Sequence, residues 1–169
     1  APKRVNDDPV SNGKAQTAPR IEVAPNGRID VIWMDRRHND TLATFGDIYY
    51  AYSADGGQTF SANRRVNDRH LNTGVGLTGV GGYTWYGAVM AAKGNDQLLV
   101  AWTDSREGNF NTGVQDIYLS NLDLRSGSVP VKRLPDATSS GLAIAMSKLV
   151  SPMTTVAPAS MPVSAIARS

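Results

Sequence analysis

The chain repeats itself, and that repeat limits the folds open to it more than any other feature. The stretch Pro25-Asn26-Gly27-Arg28-Ile29-Asp30-Val31-Ile32-Trp33-Met34-Asp35-Arg36-Arg37 returns as Gly94-Asn95-Asp96-Gln97-Leu98-Leu99-Val100-Ala101-Trp102-Thr103-Asp104-Ser105-Arg106. Trp33 matches Trp102, Asp35 matches Asp104 and Arg37 matches Arg106, all at one offset of 69 residues. Asp47-Ile48-Tyr49 returns as Asp116-Ile117-Tyr118 in the same register, with no gap. A second element frames the first. Arg4-Val5-Asn6-Asp7 recurs as Arg65-Val66-Asn67-Asp68 and echoes in Arg133-Leu134-Pro135-Asp136. Self-similarity at a fixed period marks stacked units that bury their apolar faces on one another. The chain thus reads as a strand ending one unit, followed by two full units.

Inside each unit the signals are those of β structure. Ile29, Val31 and Trp33 alternate with Asp30 and Ile32, so the two sets face opposite sides of a strand. Ile48 to Tyr52 is aromatic-rich and suits a strand. Pro25-Asn26-Gly27 and Ser53 to Gln58 are turn signals. Arg65-Val66 begins a fourth, short strand. No 3.6-residue periodicity runs through residues 1–136. Four short antiparallel strands per unit, repeated, is the pattern of a propeller blade. The expected fold is therefore all-β: a partial β-propeller of about two four-stranded antiparallel blades, at residues 17–68 and 84–136, with a low-complexity C-terminal tail. A closed ring takes about 4–8 blades, so a homo-oligomer or a longer parent chain is expected to complete it.

Residues 137–169 hold only Lys148 and Arg168 as charges, and Ala, Ser, Pro, Met and Thr dominate. Pro152, Pro158 and Pro162 exclude long regular elements, so a flexible tail or linker is expected. Composition also excludes function classes. The 169 residues carry a net charge of +2 with no basic stripe, which disfavours nucleic acid as a partner. With no cysteine, neither disulfides nor Cys-based zinc sites exist. No apolar run reaches the roughly 20 residues of a membrane helix, and Ala1-Pro2-Lys3-Arg4 holds no apolar signal-peptide core. His38 and His70 sit in polar loops far apart in sequence, with no metal spacing. No cofactor is expected. A structural Ca²⁺ at Asp7-Asp8, Asp68 or Asp96 would need oxygen ligands that no EF-hand spacing supplies.

Ser53-Ala54-Asp55-Gly56-Gly57-Gln58-Thr59-Phe60 fits the pattern Ser-x-Asp-x-Gly-x-Thr-(Trp/Phe) at every defined position. It follows a Tyr-rich strand and precedes Arg65-Val66. In this respect the chain resembles the sialidase-like Asp-box (BNR-repeat) propellers. The local physics is structural: Ser53 and Asp55 can bond backbone N–H groups of a tight hairpin, Gly57 relieves its backbone, Thr59 completes the pattern and Phe60 packs the turn down. The second unit keeps Asp123 and Gly127 but not the box.

The resemblance implies candidate site residues as well. In order along the chain, Arg20-Ile21-Glu22, Asp35-Arg36-Arg37, Asp40 and Asp47-Ile48 follow the first-blade order of sialidases, with Glu22 where that family has Pro. By that alignment Arg20 would match a carboxylate-binding arginine, Arg37 a second substrate-contacting arginine and Asp40 the acid/base. An Arg fork suits the carboxylate of sialic acid, and an acid beside the leaving oxygen suits glycosidic cleavage. The second unit has Asp104-Ser105-Arg106 as well, which reads Asp-x-Arg as partly structural. Trp85 and Tyr86, after the Gly-rich stretch 74–82, could stack on a sugar ring or anchor a strand. The expected function is a secreted or cell-surface segment, bacterial in type, that binds a glycan or a protein and is not catalytic alone. The alternatives are part of an exo-sialidase, a glycoside hydrolase acting on terminal sialic acids, or a purely structural repeat.

Overall fold

The computed structural model describes residues 1–38, 45–76, 87–109 and 111–125, together with the strand 131–133. The described chain is all-β, with antiparallel pairing throughout and a single 3-10 turn at Val10–Asn12. Two open sheets form. Sheet 1 comprises β1 (Gln16–Val23), β2 (Ile29–Asp35), β3 (Phe45–Ser53), β4 (Arg64–Arg65) and β5 (Leu71–Asn72). Sheet 2 runs in order through β6 (Ala88–Lys93), β7 (Gln97–Asp104), β8 (Asp116–Asp123) and β9 (Val131–Arg133). The proposed tail, residues 137–169, lies outside the described residues.

The repeat read from the sequence is also a repeat of register. Trp33 faces Tyr49 across β2–β3, and Trp102 faces Tyr118 across β7–β8. Asp35 faces Asp47 just as Asp104 faces Asp116. Tyr49 pairs with Arg65, and Tyr118 with Arg133. Sheet 1 departs from the expected four strands by carrying β5, which pairs with Phe45 and Gly46 on the β3 edge that β4 also uses. The edge is interrupted where Asn67 turns inward. Its side-chain oxygen accepts from the Ile48 N–H at 2.7 Å and its amide donates to Asp47 Oδ1 at 2.6 Å, so a side chain replaces the ladder there. β1 is an edge strand and tolerates Pro19 next to a bulge between Thr17 and Arg20. Ala18 within that bulge has φ of 52°.

One core joins the sheets. Ile32, Met34, Ile48, Tyr50, Val66 and Leu71 of sheet 1 pack with Ala88, Leu98, Val100, Trp102, Tyr118 and Leu122 of sheet 2. Strand alternation explains the choice, because residues two apart point the same way. The other face of β2–β3 holds a smaller cluster of Val31, Trp33, Tyr49 and Ala51, against which Val5, Ile29 and Phe60 pack. Val5 therefore stands to Trp33 as Val66 stands to Trp102, which follows from the Arg-Val-Asn-Asp repeat.

A buried polar network crosses the main core. Arg28 binds Asp30 through two bonds of 2.8 and 3.0 Å, and the Tyr50 hydroxyl donates to Asp30 Oδ1 at 2.7 Å. Arg28 also donates to the Asn95 carbonyl in the β6–β7 turn. Asp30 is fully buried, and a buried carboxylate is costly without such hydrogen-bonding partners. Burial, with the Asp30 carboxylate beside it, pushes the Tyr50 hydroxyl far above its ordinary range.

Candidate functional site at the loop end of sheet 1

The sheet has two ends of different character. The β1–β2 and β3–β4 turns lie at one end, while residues 36–38 after β2, Phe45 at the start of β3 and the stretch 66–70 lie at the other. The first end carries the Asp-box hairpin. Asp55 Oδ1 accepts from the Ser53 hydroxyl at 2.7 Å and from the N–H groups of Gln58 and Thr59, both at 2.9 Å. The Thr59 hydroxyl donates to Asp55 Oδ2 at 2.6 Å, and the Gly57 N–H donates to Ser53 Oγ at 2.8 Å. Gly56 and Gly57 have φ of 70° and 87°, a region that side chains resist. These bonds, Thr59 first, hold the Asp55 carboxyl well below the usual carboxylate range. The polar side chains of the box thus bond one another and the hairpin's own backbone, and Phe60 packs on the Trp33 cluster. The hairpin is a structural pin.

At the opposite end the Asp-x-Arg of each unit forms the same clamp. Asp35 Oδ2 accepts from Trp33 Nε1 at 2.8 Å and from the Arg37 guanidinium at 2.9 Å, while its Oδ1 accepts from the Arg37 backbone at 2.8 Å. In the second unit the corresponding distances at Asp104 are 3.0, 2.8 and 2.9 Å. Arg37 reaches Asp7 at 2.7 Å, and Arg106 reaches Asp68 at 2.6 Å. The guanidinium carbons lie 4.2 Å from the Tyr49 ring centre and 3.9 Å from that of Tyr118. Burial works against each arginine's charge, but the flanking carboxylates outweigh it and raise both pKa values. Asp7 and Asp68 come from the two Arg-Val-Asn-Asp segments, so each clamp is closed by the same element of the repeat.

The sequence-derived candidates separate in space. Arg37 belongs to the clamp. Arg20 lies exposed on edge strand β1, its guanidinium donating to the Pro19 carbonyl at 3.1 Å. Asp40, Trp85 and Tyr86 lie outside the described residues. Asp8 is satisfied locally by Asn6, Asn12, Gln16 and Arg4. Among the described residues no group of three or more His, Cys, Asp or Glu converges to hold a metal ion, and no described helix is long and apolar enough to cross a membrane.

Sequence reasoning missed a histidine cluster beside the Arg37 clamp. His38 and His70, read as unrelated loop residues, lie with ring centres 5.8 Å apart. His70 Nδ1 is 2.8 Å from the buried Asp47 carboxylate, and His38 Nε2 is 3.0 Å from the Tyr49 hydroxyl. Phe45 lies 6.4 Å from His70, and the Arg65 guanidinium lies against the same ring at 3.4 Å. The His70 side chain is 46% exposed. The result is a patch of aromatic rings with a cation at its rim, open to solvent. No spacing in the sequence signalled it; the structural register of Tyr49 with Arg65 carries the segment 66–70 back along β3 toward Asp47.

No family model, no curated protein and no solved structure matches the chain.

Proposed function

We propose that the chain is a sialidase-like propeller segment, two blades long, that binds a glycan at the loop end of sheet 1 and does not hydrolyse it. The observation that carries the non-catalytic half is the duplication of the clamp. An arginine free to grip a substrate carboxylate should not be held by two carboxylates of its own chain, in a geometry that the second unit reproduces. The binding half is supported by Phe45, His38 and His70, whose rings offer flat faces to the apolar C–H surface of a sugar. Arg65 at the rim suits an acidic sugar. A secreted or cell-surface place follows from this reading.

Glycan arrays carrying sialylated, uronate-bearing and neutral sugars test it. Binding that falls at least tenfold in Phe45→Ala and His70→Ala is expected, with no turnover of a fluorogenic sialoside. Silence on every glycan would overturn the binding assignment. Turnover lost in both Arg20→Ala and Asp40→Ala would overturn the non-catalytic one and make the chain part of an exo-sialidase.

A further inference from the structure

Each histidine of the ring cluster is anchored through one nitrogen, so protonation alters what the other nitrogen can do. His70 Nδ1 lies 2.8 Å from the buried Asp47 carboxylate. A carboxylate only accepts, so Nδ1 carries the proton. Nε2 is then an acceptor in the neutral ring and a donor in the charged one. Arg65 Nη1 lies 3.5 Å from that Nε2. His38 Nε2 lies 3.0 Å from the Tyr49 hydroxyl, whose pKa is raised by burial. Whatever its neutral tautomer, a charged His38 donates to that hydroxyl through Nε2 and offers Nδ1–H as a second donor.

Protonation also gathers cations. The two ring centres are 5.8 Å apart, and the Arg65 guanidinium lies against His70. Arg69 precedes His70 in the chain, and Arg37 lies over the Tyr49 ring. Of the carboxylates near these groups, Asp47 bonds His70, Asp35 and Asp7 are engaged by Arg37, and Asp68 is engaged by Arg106. With both rings neutral, Arg65 and Asp47 offset each other. With both charged, two further positive charges stand at close range and repel. His38 is exposed and the His70 side chain is 46% exposed, so an anion can reach both. A bound anion relieves the repulsion and accepts charge-assisted hydrogen bonds.

We propose that His38 and His70 make acid recognition at this patch proton-dependent. In their charged forms the two rings, with Arg65, take the carboxylate of an acidic glycan. In their neutral forms they offer a sugar only their flat faces. Histidine changes charge between about pH 5 and 8, so affinity for the acid rises as pH falls through that window. Proton and acid binding strengthen each other by the same factor. This gate rests on the glycan-binding reading of the ring cluster.

Calorimetric titration of the whole chain at about pH 5.5 and about pH 8 tests it. The probes are a sialylated trisaccharide, a glucuronate-bearing disaccharide and the neutral methyl amide of each. Such carboxylates titrate below about pH 4, so both acids stay ionised throughout. At least one acid should bind about tenfold or more tightly at the lower pH, whereas its amide should change by less than about threefold. His38→Phe keeps the ring without the charge, and His70→Gln keeps a donor for Asp47. Each should cut the ratio between the two pH values to about threefold or less. Arg65→Gln should weaken acid binding at both values and keep the ratio. A ratio that persists in both histidine variants refutes the assignment, and so does an amide that follows its acid. Equal acid affinity at the two values removes the gate and leaves the glycan reading standing. Silence from all four sugars at both values removes the two together.

Discussion

Replacing Arg106 by Met tests whether the duplicated clamp holds the fold. Its side chain is 9% exposed; Asp104 is 1% exposed and Asp68 50%. Removing one partner of a buried ion pair costs about 3–5 kcal/mol, whereas an exposed pair contributes about 0–1 kcal/mol. Asp104 would keep its bonds from Trp102 Nε1 and the backbone N–H of residue 106. The cost therefore falls at or just below the bottom of that range, about 2–3 kcal/mol. Met retains the apolar stem over Tyr118, so the loss is mainly electrostatic. For a folded unit of this size that corresponds to a fall in Tm of roughly 6–10 °C. Asp68→Asn removes only the exposed half and should cost less than about 1 kcal/mol. Arg37→Met should match Arg106→Met, because Asp35 is fully buried and Asp7 is 47% exposed. Thermal and urea unfolding followed by circular dichroism give both quantities. The reasoning is refuted if Asp68→Asn costs as much as Arg106→Met, or if Arg106→Met costs less than about 1 kcal/mol.

Tyr50→Phe removes one bond to a buried charge and should cost about 1.5–3 kcal/mol by urea unfolding. Asp55→Ala should speed amide hydrogen exchange at Gly57, Gln58 and Thr59 while leaving β7 and β8 unchanged. Acid should destabilise the fold. Asp68 is lowered by the Arg106 bond against burial, and Asp7 and Asp8 are lowered by their partners although burial raises them. Each carboxyl is depressed when folded, so its contribution is present above the ordinary value of 3.8 and lost as pH falls through the folded value. Urea midpoints should hold from neutral pH down to about 5 and fall below about 4.

The strands were legible because alternation and turn residues depend on near neighbours, and the 69-residue offset shows the same pattern twice. The recurrence of Asp35-x-Arg37 as Asp104-x-Arg106 marked the pair as partly structural, while the bond from Trp33 to Asp35 was not read from the sequence. What spacing could not show is which face of one sheet meets which face of the other. The Tyr50 bond to Asp30 and the Arg28 bond to Asn95 depend on that choice. The approach of His70 to His38 was equally hidden, because it depends on Asn67 pulling the chain inward beside Asp47.

Internal duplication offers a control that a single unit lacks. Whatever both units share must serve the unit itself, since two copies of a ligand-gripping arginine at equivalent places would have no reason to keep identical partners. Trp33, Asp35, Arg37, Asp47 and Tyr49 all recur as Trp102, Asp104, Arg106, Asp116 and Tyr118. Subtracting them leaves the residues of the loop end that do not recur. His38 is matched by Glu107 and Phe45 by Val114, at the common offset. The second sheet thus has the clamp without the ring cluster. If the clamp alone made a binding surface, both loop ends should bind the same ligand. If the rings make it, only the first should. Exchanging Glu107 for His and Val114 for Phe in the second unit leaves its clamp intact, so any ligand gained there belongs to the rings.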